Sequence, residues 1–117
     1  MSVTEPVQAS TTPPIEPPSV EEMIKSYDWD YNIALAVMKA ESGGNSEAFN
    51  PEWHRNCQGS YGLFQMACIH SVNPAELFAP QININRAYQL YLKEGWRPWS
   101  VCTNGIVDCG LNKGLVE

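Results

Sequence analysis

Glu41 is out of place in its own pattern. Ala34, Val37, Met38 and Glu41 recur at i, i+3, i+4 and i+7, a spacing that puts all four on one face of a helix. Three are apolar and the fourth is a carboxylate. A side chain that breaks the packing rule of its own face is a candidate for chemistry. Burial on that face disfavours the charged form and raises the acid's pKa. The negative end of the helix dipole pushes the same way. A Glu ordinarily titrates near ~4.3, and a lift of about two units makes it a proton donor near neutral pH, as a general acid must be. The bland alternative is a carboxylate that reaches past the helix end to water, or pairs with Arg55 or Arg86.

A second stretch, Gly59-Ser60-Tyr61-Gly62-Leu63-Phe64-Gln65, holds two glycines three apart. They permit a tight bend and close approach of backbone to a ligand. Gln65 offers a donor and an acceptor. The spacing is G-S-x-G and not the G-x-S-x-G of a serine-hydrolase elbow. Alone, the stretch reads as a glycine-flanked turn.

The elements that would position these residues are mostly helical. Ser19-Val20-Glu21-Glu22 matches a capping box opening a short helix to about Tyr27. Asp28 or Asp30 caps the main helix, roughly 31–41, and Gly43-Gly44 ends it. Residues 42–62 read as a loop, long enough to suggest a functional role. Asn73-Pro74 repeats the cap logic. A longer helix is expected over about 81–94, with Ile84, Ala87, Tyr88 and Tyr91 as its inner stripe and Gly95 as its stop. Trp96, Pro98 and Trp99 follow in a turn. No convincing strand is visible, only short extended pieces around Tyr61 to Met66. Residues 1–18 hold five of the nine prolines and no aromatic, the composition of a disordered leader.

Composition bounds the rest. At 117 residues and 44% hydrophobic content the chain suits one small domain, residues 19–117. The net charge of −6 is uneven: Glu5, Glu16, Glu21 and Glu22 stand without a base in residues 1–22, leaving about −2 for the remainder. No Lys/Arg cluster points to nucleic acid. No apolar run approaches a membrane span, and no secretory signal is visible.

Cys57, Cys68, Cys102 and Cys109 make an even count, which in a small domain suggests two disulfides and an oxidising compartment. Of three connectivities we expect the local one, Cys57–Cys68 with Cys102–Cys109. The alternatives are four free thiols, or zinc held by His54, Cys57, Cys68 and His70, whose spacing fits no familiar zinc module. No cofactor is expected.

Taken in order, Glu41-Ser42, Gly59 to Gln65, Asn83-Ile84 and Trp96 to Gly105 resemble the catalytic domain of lytic transglycosylases, the soluble-transglycosylase branch of the lysozyme-like superfamily. The resemblance spans roughly residues 24–106 and is closest to compact versions from phages and bacterial cell-wall proteins. It implies a mainly α, small lysozyme-like domain with a substrate cleft. It implies action outside the cytoplasm on peptidoglycan glycan strands, cutting the β-1,4 bond between N-acetylmuramic acid and N-acetylglucosamine; a monomer is expected. One Glu serves as acid and then base, and no water enters, so the product is a 1,6-anhydro sugar. By the match that Glu is Glu41. Ser42, Ser60, Gln65 and Asn104 fall at positions the family places at or near the cleft, and Tyr61 and Trp99 are candidates to stack on sugar faces. Trp29 is expected in the core.

The chain departs from the family at Val101-Cys102-Thr103-Asn104-Gly105, where Cys102 stands in place of a Tyr that contacts the catalytic Glu. Tyr61 or another hydroxyl would have to substitute, or activity falls. A hydrolytic lysozyme would need a second carboxylate. Glu47, Glu52 and Asp108 are the candidates, and each reads first as a solvated loop residue. A catalytically weak glycan-binding or virion component is the remaining alternative.

Overall fold

The computed structural model describes residues 16–111. The Pro-rich leader lies almost wholly outside the described residues. Helix α1 spans Val20–Lys25, and its capping box forms: the Glu22 amide donates to Ser19 Oγ and the Ser19 amide to Glu22 Oε1. Helix α2 spans Tyr31–Ser42. Asp30 is its cap, accepting the Ile33 N–H at 3.1 Å. Gly43, at φ 66°, ends it in the left-handed conformation that costs glycine little. Ala34, Val37 and Met38 are buried along its inner face.

The chain then forms a three-stranded antiparallel sheet: β1 Phe49–His54, β2 Cys57–Tyr61 and β3 Met66–Ala67. This differs from the loop expected over 42–62. The reason is visible in β1. Its side chains alternate, Phe49, Pro51 and Trp53 with Asn50, Glu52 and His54, but a proline breaks the run and neither face is buried: five residues are exposed and the sixth is half-buried. Pro51, which normally argues against a strand, sits where the β1–β2 register shifts between Asn50 and Trp53. An irregularity is where a sheet tolerates a residue without an N–H.

Two 3₁₀ turns follow, Cys68–His70 and Pro74–Phe78. Asn73 does not cap the second with its side chain. Its own N–H donates instead to Ser71 Oγ at 3.1 Å. Helix α3 spans Pro80–Glu94 and stops at Gly95, and α4 is the single turn Ser100–Thr103.

The core gathers around Trp29. Its ring stacks on Trp96 at 5.5 Å, meets Tyr88 edge-on at 5.3 Å and touches Phe64 at 5.5 Å. Its indole N–H donates to the Ile24 carbonyl, so the large ring is buried without an orphaned donor. Both disulfides adopt the local pairing, with Cα separations of 6.1 Å for Cys57–Cys68 and 5.4 Å for Cys102–Cys109. The first ties the start of β2 to the turn that follows β3. Among the described residues no helix is long and apolar enough to cross a membrane.

Asn83 connects fold and site. It is fully buried, a costly place for an amide unless every group is paired. Its Oδ1 accepts the Phe64 N–H at 2.8 Å, and its Nδ2 donates to the carbonyls of Tyr61 at 2.7 Å and Leu77 at 2.9 Å. The bend at residues 62–65 is thereby pinned to α3. A side chain on Gly62 would put its Cβ 2.5 Å from the Leu77 carbonyl oxygen, so only glycine fits there.

Candidate active site

A cleft of about 340 Å³ opens between the end of α2, the sheet and the Trp99–Ser100 corner. Glu41 enters it from the last turn of α2. Asn50, Glu52 and His54 come from alternate positions of β1, Ser60 from β2, Gln65 from the bend, and His70 from the first 3₁₀ turn. Alternation along a strand puts every second residue on one face, and here that face is the cleft wall.

Glu41 makes no hydrogen bond and no ion pair among the described residues. Arg86 is taken by Glu76 at 2.9 Å, and Arg55 lies outside the cleft lining. Burial pushes the Glu41 carboxyl from 4.5 up to about 7, and the charge of Glu52 adds to the lift. An acid so placed is about half protonated at pH 7 and has no hydrogen-bond partner among the described residues, so its proton is free to go to a ligand in the cleft.

Glu52 is solvated as expected but lies on a strand, not a loop, and lines the cleft. Its Oε1 lies 3.9 Å from His54 Nε2, and the same nitrogen shares a 2.9 Å hydrogen bond with Ser60 Oγ. A Ser–His pair invites comparison with a hydrolytic triad. In a triad, however, the acid orients the ring through the opposite nitrogen, whereas Glu52 approaches the nitrogen that already meets the serine. His70, across the cleft, has its pKa lowered: burial is the main cause, Glu94 opposes it, and His54 and Lys93 add to it.

The two histidines reach the cleft while Cys57 and Cys68 bond to each other, which removes both thiolates from the zinc alternative. Sequence reasoning named His54 and His70 only as metal ligands. The alternation Asn50, Glu52, His54 was the available sign of a shared face.

Of the other expected site residues, Ser60, Gln65 and Trp99 line the cleft. Gln65 adopts a positive φ of 49°, uncommon for a side-chain-bearing residue. Its Nε2 donates to the carbonyls of Ala48 and Gly62, so its Oε1 is the atom left for a ligand. Trp99 is 4% exposed and donates its indole N–H to the Phe64 carbonyl, so it builds the wall more than it offers a free stacking face.

Ser42, Tyr61 and Asn104 do not line the cleft. The Ser42 hydroxyl donates to the Met38 carbonyl and accepts the Gly44 N–H, serving the helix end. Tyr61 packs between Phe49 and Phe78 and donates to the Gln58 carbonyl. It is on the strand face opposite Ser60 and cannot supply the hydroxyl expected near Glu41. Asn104 caps its own turn by accepting the Ile106 N–H. Cys102 is buried in its disulfide. The cleft's own hydroxyls are Ser60 and Ser100.

A carboxyl closing a helix with one buried face, at the edge of a cleft in a mainly helical domain, repeats the layout that the motifs imply; the small sheet across from it is an addition. The lysozyme-like domain family matches residues 26–101. The chain belongs to that family. Searches of curated proteins and of solved structures gave no match. Membership in the lysozyme-like family supports a glycan-cleaving protein whose substrate is peptidoglycan. Together with the two disulfides it favours a location outside the cytoplasm.

Proposed function

We propose that this lysozyme-like domain is a peptidoglycan lytic transglycosylase with Glu41 as its single acid/base. The observation that carries the reading is the Glu41 carboxyl: half-buried, unpartnered, in a cleft and held near pKa 7. It donates its proton to the glycosidic oxygen as that bond breaks. The carboxylate that results then takes the proton from the C6 hydroxyl of the muramic sugar. That hydroxyl attacks the anomeric carbon and closes the 1,6-anhydro ring. The acetamido group of the substrate stabilises the positive charge between the two steps. Ser60 and Gln65 Oε1 supply polar contacts along the strand.

Glu52 favours a second reading. A second carboxylate in the same cleft is what a hydrolytic lysozyme uses, either to activate a water or to form a glycosyl-enzyme bond. In the transglycosylase reading Glu52 instead keeps Glu41 protonated. The two readings part at the product. Peptidoglycan digested by the native protein yields anhydro-muramyl ends in the first case and reducing ends in the second, and mass spectrometry distinguishes them by the mass of one water.

A further inference from the structure

A second groove, shallower and about 730 Å³, adjoins the cleft. The Cys57–Cys68 disulfide lines it, with Arg55 and Asn56 on one side and Ser71 and Val72 on the other. Ile69 lines both spaces, so they lie side by side, one residue apart.

The chemistry of the groove is apolar surface headed by one cation. Ile69 is 44% exposed and Val72 wholly so. Arg55 is exposed, and the ion pairs among the described residues, His54–Glu52 and Arg86–Glu76, leave its guanidinium unengaged. In a chain of net charge −6 an unpaired guanidinium beside open apolar groups is a place for a carboxylate.

Local structure argues the same way. His54 pairs with Cys57, so Arg55 and Asn56 form a two-residue hairpin turn. Such a turn wants glycine or asparagine where φ is positive, and Arg55 stands there at φ 57°. A residue standing against its local preference points to a role beyond folding.

The geometry points to this groove as the seat of the stem peptide of the strand being cut. Arg55 would hold a peptide carboxylate, with Ile69 and Val72 against its small apolar side chains. The inference rests on peptidoglycan as the substrate. The muramic sugars of such a strand carry a short peptide of alanines, an acidic residue and a diamino acid, with free carboxylates. A strand held at Glu41 must send that peptide off the cleft, and the shared wall at Ile69 offers the exit.

Binding tests this separately from cleavage. A disaccharide tetrapeptide, the same disaccharide stripped of peptide, and the free tetrapeptide are titrated into the Glu41→Gln protein, with and without Arg55→Asn. Asparagine accepts the left-handed turn more readily than arginine, so the variant keeps its fold. We expect the peptide-bearing sugar to bind tighter than the bare one. Arg55→Asn should weaken the peptide-bearing sugar by about tenfold, the scale of one charge-assisted hydrogen bond, and leave the bare sugar unchanged. A bare sugar that binds as well as the peptide-bearing one overturns the groove and spares the glycan cleft. A peptide that binds while the bare sugar does not keeps the groove and overturns the cleft reading. Equal loss for both sugars in Arg55→Asn, or no binding of any ligand, also overturns the groove.

Discussion

Glu41 and Glu52 share one cleft from two elements eleven positions apart, and the charge on Glu52 helps lift the Glu41 pKa to about 7. Burial is the larger cause. Replacing Glu52 by Gln removes the smaller one, so the Glu41 pKa should fall but stay above 4.5. Activity needs the protonated acid, and the alkaline limb of the pH–rate profile should therefore move toward acid in Glu52→Gln. A profile that keeps its shape while the rate falls by ~10² or more would show instead that Glu52 takes part in the chemistry.

The same raised pKa carries a stability cost. Between about pH 4.5 and 7 the native protein holds the Glu41 proton more tightly than the unfolded chain does. Stability from this group is complete below that window and is lost as pH rises through 7. Glu41→Gln has no charge to bury. The variant should match the native protein in thermal melts at pH 4 and exceed it at pH 8. A gap that is constant across pH would contradict the assignment of a buried, titrating carboxyl.

Asn83 satisfies three backbone groups at once. Asn83→Ala leaves them buried and unpaired, at about 1 kcal/mol or more each, so denaturant melts should show a loss of roughly 3 kcal/mol or greater. Gly62→Ala should also destabilise, because its Cβ collides with the Leu77 carbonyl and the Asn83 amide. Near-native stability in both variants would mean that the bend is not held by α3.

The disulfides close loops with separations of 11 and 7 residues. Each should contribute roughly 2–3 kcal/mol in the chain-entropy account. Reductant should lower the Tm by ~10 °C or more. Because Cys57–Cys68 anchors the turn that carries Ile69 and His70 to the sheet, Cys57→Ser with Cys68→Ser should weaken glycan binding as well as stability. An unchanged melt in reductant would argue against both bonds.

The helices were legible because their signals are local. Ser19, Asp30, Gly43 and Gly95 act within a few residues of themselves, and Glu41 stood out against its own helical face. The sheet was not. β1 alternates apolar and polar residues, but its proline reads as a break, and its pairing with β2 exists only in the fold. For the same reason Glu52 and His54 were read as loop or metal-binding residues, although alternation along β1 puts them in the cleft; His70, also read as a metal ligand, arrives there on the 3₁₀ turn after β3. Ser60 and Tyr61 were both expected at the cleft, but neighbours on a strand face opposite ways: Ser60 lines the cleft and Tyr61 does not.

The most direct test of Glu41 is mass spectrometry of muropeptides released from purified peptidoglycan by the native protein and by Glu41→Gln. We predict anhydro-muramyl products from the native protein and at least ~10²-fold less from the variant. Near-native release by Glu41→Gln would contradict the central claim, and reducing-end products that depend on Glu41 would transfer it to a hydrolase that uses Glu52.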